Sequence, residues 1–582
     1  MKITRYIVLL QFSLITSFAW SQIQLGDKVS LSGSLQADVL FPQEDEAIGT
    51  GTYDDWGLTN TYLDLNLLSK YVSAGARLEY LDHPLPGFEK DFAGWGVPYI
   101  YVTGKYKGVE LTVGDFYDQF GNGFIYRTYE ERSLGVDNSL RGARLVVRPF
   151  KGINIKMLGG KQRYYWQNKG YLWQGRYWNN PRRDSYVFGA DAELNVEQWF
   201  KRMQESNTYL TLGVSYVGRQ EDDEIVEAPV PNKRLNLPDV VNAYDFRAQL
   251  QKGNYNFMVD YAIKGCDPSS DNYYIYKNGS AVMVSGSYSK RGMSALIQAK
   301  RSDNMSYRSN RTINGVSTAS FINNMPVFSY QHTYNLATIY PYSTQTAGEW
   351  AFQGEFSYNF KRKTALGGKY GTNIKLNFSH IRSIYGQFDN VAQLKGTNGK
   401  EANFFDMSGG VYYQDAHIAI EKKLSKVFKL NVMYINQLYN PKANGHIDED
   451  LVQSNIFVAE GKYQINKKIS LRAELQYLLA SDYRTLNGAP ETAPLERSNQ
   501  GDWMFGLIEL AIAPSFMFSV SDMYNVGATN NHYYNVSGVF THKSHRLQVG
   551  YGKTRKGYTC TGGVCREVPA SKGATVSYTY NF

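Results

Sequence analysis

Two stretches of the sequence carry side chains that could act on a solute. The first runs from Gly114 to Arg141 and mixes acids and arginines with glycine and aromatic residues. Opposed carboxylates and guanidiniums create a transverse field that orients polar solutes in a pore. The candidate pore-lining residues are Asp115, Arg127, Glu130, Arg132, Asp137 and Arg141. The alternative is a rigid loop held together by its own ion pairs.

The second stretch, Lys161–Arg183, is rich in tryptophan and basic residues. Flat aromatic faces beside hydrogen-bonding groups suit sugar rings, and arginine suits phosphate or carboxylate. The candidate ligand-loop residues are Trp166, Trp173, Trp178, Arg176 and Arg182. The alternative is an aromatic patch at the membrane interface, in contact with lipopolysaccharide.

A short acidic run, Glu221–Glu224, lacks the spacing of an EF-hand, and we predict a solvated loop there. Cys560 and Cys565 enclose Thr-Gly-Gly-Val, and this spacing predicts a disulfide at a tight bend. A zinc site there would lack two further ligands. Cys266 is left over as a buried or inert thiol.

Catalytic motifs are missing from the sequence. It contains no Gly-x-Ser-x-Gly, no His-Glu-x-x-His, no phosphate-binding loop and no Cys-x-x-Cys, and its eight histidines are scattered. We therefore predict that the protein is not an enzyme and that it holds no cofactor and no metal.

The N-terminus predicts export. Lys2 and Arg5 precede an apolar stretch, and small residues before Gln22 suit signal peptidase. We assign residues 1–21 to a signal peptide and residues 22–582 to one domain. Beyond the leader, no apolar run approaches the ~18 residues of a transmembrane helix. The mean hydropathy of −0.43 is compatible with a transmembrane β-barrel, in which lipid-facing and lumen-facing residues alternate.

The elements that would position the candidate residues are strands. Leu471, Ala473 and Leu475 alternate with Arg472 and Glu474, and similar period-two segments recur along the chain. Short turns and long connections follow one another almost strictly. This asymmetry is typical of outer-membrane barrels. We predict an all-β, antiparallel up-and-down barrel of about 24 strands, within a range of 20–26.

Two further features concern the lumen. Strand 1 should begin near Lys28, which leaves no room for an N-terminal plug domain. The longest connection, Ser302–Ala347, either folds inward as a constriction or stands outside, and the sequence does not decide between these two positions.

The C-terminus resembles the terminal strand that the barrel assembly machinery reads. Tyr578, Tyr580 and Phe582 alternate with polar residues, and the chain ends on an aromatic side chain. We predict that these three residues are the assembly signal of an integral protein of the Gram-negative outer membrane. Its partners would then be membrane lipid, lipopolysaccharide and the assembly machinery. Nucleic acid is a poor partner for an exported chain.

Five segments resemble a Bacteroidota-type outer-membrane family known as a domain of unknown function. They are Phe41–Glu46, Tyr80–Phe88, Gly114–Tyr117, Tyr129–Gly135 and Cys560–Ala570. The resemblance implies a barrel in the outer membrane. It implies no substrate and no active site.

The sequence thus favours a porin-like channel or transporter for polar solutes. A barrel of this size encloses a wide lumen, so loops must narrow it or a partner must cap it. The alternative function is a surface scaffold or receptor that docks a secretion-system or lipoprotein partner through its aromatic loops.

Overall fold

The computed structural model describes residues 23–24, 28–51, 55–81, 83–88, 93–163, 185–222, 224–312, 320–385, 394–444, 451–482, 501–562 and 564–582. The predicted signal peptide and the five ligand-loop candidates, Trp166 to Arg182, lie outside the described residues. No helix in the described ranges is long and apolar enough to cross a membrane.

The chain forms one closed antiparallel barrel of 24 strands, as predicted. The first twelve strands are β1 Val29–Pro42, β2 Leu58–Ser69, β3 Val72–Leu81, β4 Gly94–Tyr106, β5 Val109–Phe116, β6 Leu140–Val147, β7 Ile153–Gln162, β8 Tyr186–Asn195, β9 Thr208–Gln220, β10 Val240–Lys252, β11 Tyr255–Lys264 and β12 Gly279–Lys290. The remaining twelve are β13 Met293–Asp303, β14 Gly348–Phe360, β15 Thr372–Ser383, β16 Val411–Lys423, β17 Phe428–Tyr439, β18 Val452–Gln464, β19 Ile469–Asp482, β20 Asp502–Ile512, β21 Phe516–Val526, β22 His532–His542, β23 His545–Thr554 and β24 Ser571–Asn581.

Few other elements are present in the described chain. The two-residue strand Ile23–Gln24 pairs with β1 at the barrel's edge. Two small hairpins pair Glu130–Glu131 with Val136–Asp137 and Gly557–Thr561 with Val564–Val568. The helical segments are one short α-helix, Lys201–Glu205, and single turns at Glu46–Ile48, Val196–Gln198, Ser270–Asn272, Leu336–Thr338 and Pro441–Asn444.

The strands separate an apolar outer surface from a polar interior. On β19, Leu475 is 69% exposed on the outside, whereas its neighbours Glu474 and Gln476 are buried inside. Successive side chains of a strand point to opposite faces, so the period of two in the sequence becomes this division. An apolar outer face and a polar interior are the arrangement that a barrel needs in a membrane.

The connections differ between the two ends of the barrel. One end carries mostly tight turns, such as residues 107–108, 253–254 and 543–544, and we call it the short-turn end. The opposite, long-loop end carries the extended connections, with residues 527–531 as its short exception. The predicted alternation is therefore confirmed, and strands β1 and β24 both have their free ends at the short-turn end.

The seam between β24 and β1 closes the barrel. Gly33 and Phe582 exchange two backbone hydrogen bonds of 2.8 and 2.9 Å at its end. The β24 side chains at Tyr578, Tyr580 and Phe582 share the outward-facing register with Val576. The rings of His545, Tyr580 and Phe582 stack in sequence, with centroids 4.4 and 5.5 Å apart. The structure thus gives the three C-terminal aromatic residues an outward position, and their role in assembly stays a prediction.

We predict that Gly33→Val weakens the seam. A Cβ atom at Gly33 would clash with the Asp64 carbonyl oxygen and lie 2.6 Å from the Phe582 ring. Overpacking of this kind costs ~1–3 kcal/mol. The temperature at which the folded, fast-migrating band is lost on a gel should therefore fall. Gly104→Val is the control, because a Cβ atom there meets nothing within 4 Å. Equal melting of the two variants would contradict the prediction.

Candidate functional site

Two connections from the long-loop end fold into the lumen. We call residues 117–139 the first luminal loop and residues 304–347, described at 304–312 and 320–347, the second luminal loop. The Leu336 N–H donates to Gln476 Oε1 on β19 at 2.9 Å, and the Gln437 side chain on β17 donates to the Ala337 carbonyl. The second loop begins and ends on β13 and β14, so these contacts lie well away from its own strands. The longest connection of the chain folds inward.

The second luminal loop reaches almost to the opposite end of the barrel. The Tyr334 hydroxyl accepts a hydrogen bond from the Asn431 amide and donates one to Glu460 Oε2 at 3.2 Å. Asn431 is the fourth residue of β17 and Glu460 lies four residues before the end of β18, both near the short-turn end. The loop therefore crosses most of the lumen's height.

The two luminal loops are joined to each other. Backbone hydrogen bonds run from Arg127 N–H to the Ile322 carbonyl and from Asn324 N–H to the Gly123 carbonyl, at 2.8 and 3.0 Å. The Asn323 amide adds a bond to the Phe124 carbonyl. A fully buried apolar cluster surrounds these bonds, and it includes Phe120, Phe124, Ile125, Ile322 and Phe328. The loops thus form one packed body inside the barrel.

An arginine network fastens the first luminal loop to the wall. Arg77 on β3 pairs with Glu79, with Glu130 at 2.9 Å and with Asp137. Arg163 bridges Glu79 and Asp137 from the other side. Four of these residues are at most 4% exposed, namely Arg77, Glu79, Asp137 and Arg163. Buried charges of this kind need partners on every side, and here acids and guanidiniums alternate.

Arg132 extends the network toward β1 and β2. Its guanidinium contacts Glu130 at 2.6 Å and Asp64 at 2.8 Å, and it lies over the Tyr62 ring. Burial is the largest influence on Glu130 and raises the pKa of its carboxyl despite Arg77 and Arg132. Burial also opposes ionisation of Asp137, but Arg77 and Arg163 outweigh it and hold the Asp137 pKa well below its ordinary value.

Basic residues also anchor the second luminal loop. Arg308 pairs with Asp271 at 2.5 Å, and Arg311 pairs with Glu221 at 3.0 Å. The prediction that the acidic run Glu221–Glu224 is solvated is wrong at Glu221, because this residue is only 4% exposed. Burial raises the Glu221 pKa, against the two arginines that face it. A loop made largely of irregular backbone is thus held by charge-assisted contacts.

The six candidate pore-lining residues occupy three places. Glu130, Arg132 and Asp137 belong to the arginine network. Arg127 lies at the contact between the luminal loops, with its guanidinium 4.8 Å from the Tyr129 ring centroid. Asp115 on β5 and Arg141 on β6 form a separate, bidentate ion pair. By strand alternation they belong to the same outward side of the sheet as the exposed Val113 and Ala143. Their action on a solute stays a prediction.

The predicted disulfide between Cys560 and Cys565 is confirmed. The two cysteines face each other across the hairpin Gly557–Thr561/Val564–Val568 at the long-loop end. Arg566 of this hairpin donates to the Ser133 carbonyl at 3.1 Å, so the hairpin lies against the first luminal loop. Cys266 is a free, half-buried thiol whose pKa is raised by burial.

Sequence reasoning missed the wall residues of the arginine network. Arg77 and Glu79 are two apart on β3 and alternate with Ala76 and Leu78. A pair of opposite charges at one face of a predicted strand is the signal that could have identified them. Arg163 carries no comparable signal, because it follows β7 and reaches Glu79 on β3, four strands away, only through the curvature of the sheet.

We predict that Arg77→Met destabilises the fold by ~3–5 kcal/mol, because it removes one of the two buried arginines that balance Glu79 and Asp137. Unfolding in denaturant from lipid vesicles measures the change. The folded-state pKa of Asp137 is lowered, so its stabilisation is present above the unfolded pKa of ~3.9 and is lost as the pH falls below it. The difference between variant and wild type should therefore shrink at acidic pH.

Arg546→Met is the matched control for this experiment. Arg546 is exposed on β23 and donates to Gln548, so its loss should cost no more than ~0.5 kcal/mol. Equal effects of the two substitutions at pH 7, or an Arg77→Met effect that grows with acidity, would contradict the role assigned to the network.

Comparison with known proteins identifies the family. No curated protein is similar enough to count as a match. Among solved structures, the siderophore receptor PirA from Pseudomonas aeruginosa has 9% identity and a TM-score of 0.40 over 96% of this chain and 81% of that one. The outer membrane transporter YddB from Escherichia coli has 8% identity and a TM-score of 0.38, and the match covers 96% of this chain and 81% of that one. OccAB4 from Acinetobacter baumannii has 8% identity and a TM-score of 0.32, and the match covers 96% of this chain and 99% of that one.

Similarities this remote carry no argument about function. The family comparison is decisive by contrast, because its model extends over the whole sequence. The model of the family of unknown function DUF6029 matches residues 1–582, and the chain belongs to that family.

Proposed function

We propose that this protein is an outer-membrane channel or transporter for polar solutes that its own luminal loops keep closed. The observation that carries the proposal is the depth of the second luminal loop, whose Tyr334 bonds to Asn431 and Glu460 near the short-turn end. Barrels of 16–18 strands already leave an aqueous channel, so a barrel of 24 needs a filling of this kind. The loops take the place that a plug domain would hold.

The contacts between loop and wall support a closure that can open. Tyr334, Leu336 and Ala337 meet the wall through side-chain amides, carboxylates and carbonyl groups. Water can replace hydrogen bonds of this kind, and each contributes only ~0.5–1.5 kcal/mol net, or ~1.5–3 kcal/mol where one group is charged. The remaining wall carries charged groups on its inner face, which suits a polar solute.

The location rests on the surfaces of the barrel. Its apolar outer face suits lipid, and its long-loop end, with the disulfide hairpin, suits the oxidising exterior. The chain would reach this location by export with the signal peptide of residues 1–21.

A second candidate function is a receptor or scaffold that docks an envelope lipoprotein or secretion partner. Apolar side chains at the long-loop end favour it, since Ile225 and Phe405 are each 79% exposed. Phe404 and Met407, close to Phe405 in the chain, are exposed as well, and a contiguous exposed apolar patch is typical of an interaction site.

Conductance separates the two functions. In a planar bilayer, we expect the wild type to pass little current. Replacement of residues 328–342 by a Gly-Ser linker of equal length should give a several-fold larger, stable conductance, because it removes Tyr334 and Leu336 from the lumen. The matched control replaces residues 394–408, a segment of the same length in the connection between β15 and β16 at the same end, which carries the exposed Phe405.

Heat-modifiable migration must first show that both variants are folded barrels. A folded variant without residues 328–342 that conducts as little as the wild type would overturn the channel proposal. Co-purification of the silent wild type with an envelope partner, abolished by Phe405→Ser, would favour the scaffold.

A further inference from the structure

Two histidines meet inside the barrel around one carboxylate. His332 belongs to the second luminal loop, whereas Asp415 and His417 are two residues apart on β16 and both point into the lumen. His332 Nε2 lies 2.8 Å from Asp415 Oδ2, and His417 Nδ1 lies 2.7 Å from Asp415 Oδ1. The ligand atoms of all three residues lie within 4.8 Å of one another. Their side chains are at most 2% exposed.

We propose that His332, Asp415 and His417 bind a divalent transition-metal ion that fastens the second luminal loop to the barrel wall. Two imidazoles and one carboxylate are a donor set for zinc, cobalt, nickel or copper. Calcium and magnesium are unsuited to the site, because they prefer oxygen ligands. This inference goes beyond the channel proposal and does not depend on conduction.

The donor atoms lie within 4.8 Å of one another and must rearrange to hold the ion. Bonds of ~2.0–2.1 Å in a tetrahedral site set neighbouring ligand atoms ~3.3 Å apart. The two measured N···O separations are shorter than this by roughly half an ångström, as hydrogen bonds are. The two imidazoles, whose ring centroids are 5.0 Å apart and whose planes are inclined at 61°, must turn against the Tyr330 ring that packs on both of them to admit the ion.

The charges around Asp415 favour a cation. Among the described residues, its ion pairs are with the two histidines alone, and its further side-chain hydrogen bonds are with neutral groups, the amides of Asn377 and Gln437 and the Tyr413 hydroxyl. Most other buried acids of the lumen face an arginine or a lysine. A buried carboxylate needs a balancing positive charge, and a metal ion supplies it while both imidazoles stay neutral.

Gln437 offers a fourth ligand. Its side chain is 1% exposed, and its Nε2 lies 3.4 Å from Asp415 Oδ2. Its Oε1 atom is buried and has no hydrogen-bond partner among the described residues. A half-turn of the amide exchanges the two atoms and directs the carbonyl oxygen at the site, in exchange for the hydrogen bond from Nε2 to the Ala337 carbonyl. Orphaned buried acceptors are rare and call for a partner, which the ion would be.

Cobalt and zinc binding test the site directly. The full-length protein, purified in detergent and stripped with a chelator, should bind one equivalent of Co²⁺, with visible absorption bands of a low-coordinate ion. Zn²⁺ should displace the Co²⁺. His332→Ala and His417→Ala should each weaken Zn²⁺ binding by more than the ~10–100-fold that loss of an outer-shell partner costs. Asp415→Asn keeps the side-chain shape and should also lose the bands.

His380→Ala is the matched control. This histidine lies on β15, next to β16, but on the outward face of the strand, which it shares with the exposed Phe378. The substitution should therefore leave Co²⁺ and Zn²⁺ binding unchanged. Zn²⁺ should also slow hydrogen exchange of backbone amides near His332 in the wild type and not in His417→Ala.

Several results would overturn the proposal. A folded wild type that binds no stoichiometric Co²⁺ or Zn²⁺ would show a hydrogen-bonded His–Asp–His cluster only. Equal binding by the wild type, His332→Ala and His417→Ala would place the ion elsewhere. Binding without slower exchange near His332 would remove the fastening role. None of these results bears on conductance, so failure here and failure of the channel proposal remain distinguishable.

Discussion

Backbone hydrogen bonding in a membrane is the constraint on which the rest of this structure depends. Lipid offers no partner to a backbone N–H or carbonyl group, so a spanning sheet must close on itself. Here closure takes 24 strands and one seam between β24 and β1. Gly33 is part of that seam because a side chain there would meet both the next strand and the Phe582 ring.

Closure with so many strands creates a second requirement, a filling for the lumen. The two luminal loops meet it by packing on each other around Phe124 and Ile322 and by bonding to the wall on several sides. Their backbone is mostly irregular and would be costly to bury without partners. Side-chain amides of the wall, such as Gln437 and Gln476, supply some of these partners.

Buried ion pairs then hold the luminal loops to the wall, as contacts in an apolar core hold the elements of a soluble protein together. The arginine network at Arg77 and Arg163 ties the first loop to the wall, and Arg308 and Arg311 tie down the second. Removal of one partner of a buried ion pair destabilises a protein strongly, yet the intact pair stabilises it little more than apolar packing at the same place would. They therefore suit a filling that is specific in position and still able to rearrange.

Local patterns were enough to predict the barrel, its strand number and the Cys560–Cys565 disulfide. Period-two alternation, turn spacing and a five-residue cysteine separation are short-range properties, and a strand or a hairpin expresses them wherever it lies. By contrast, the sequence left open whether the Ser302–Ala347 connection folds inward, because nothing local distinguishes a luminal loop from an external one.

Contacts between residues far apart in the chain were decided by tertiary structure alone. The eight histidines are scattered in the sequence, yet closure and loop insertion bring His332 to Asp415 and His417, 83 and 85 positions away. Arg163 reaches Glu79 in the same manner across 84 positions. The sequence by itself thus determined the wall, because alternation is a property of neighbouring residues. Only the tertiary structure decided what fills the wall, because those contacts depend on the curvature of the closed sheet and on the path of each loop through it.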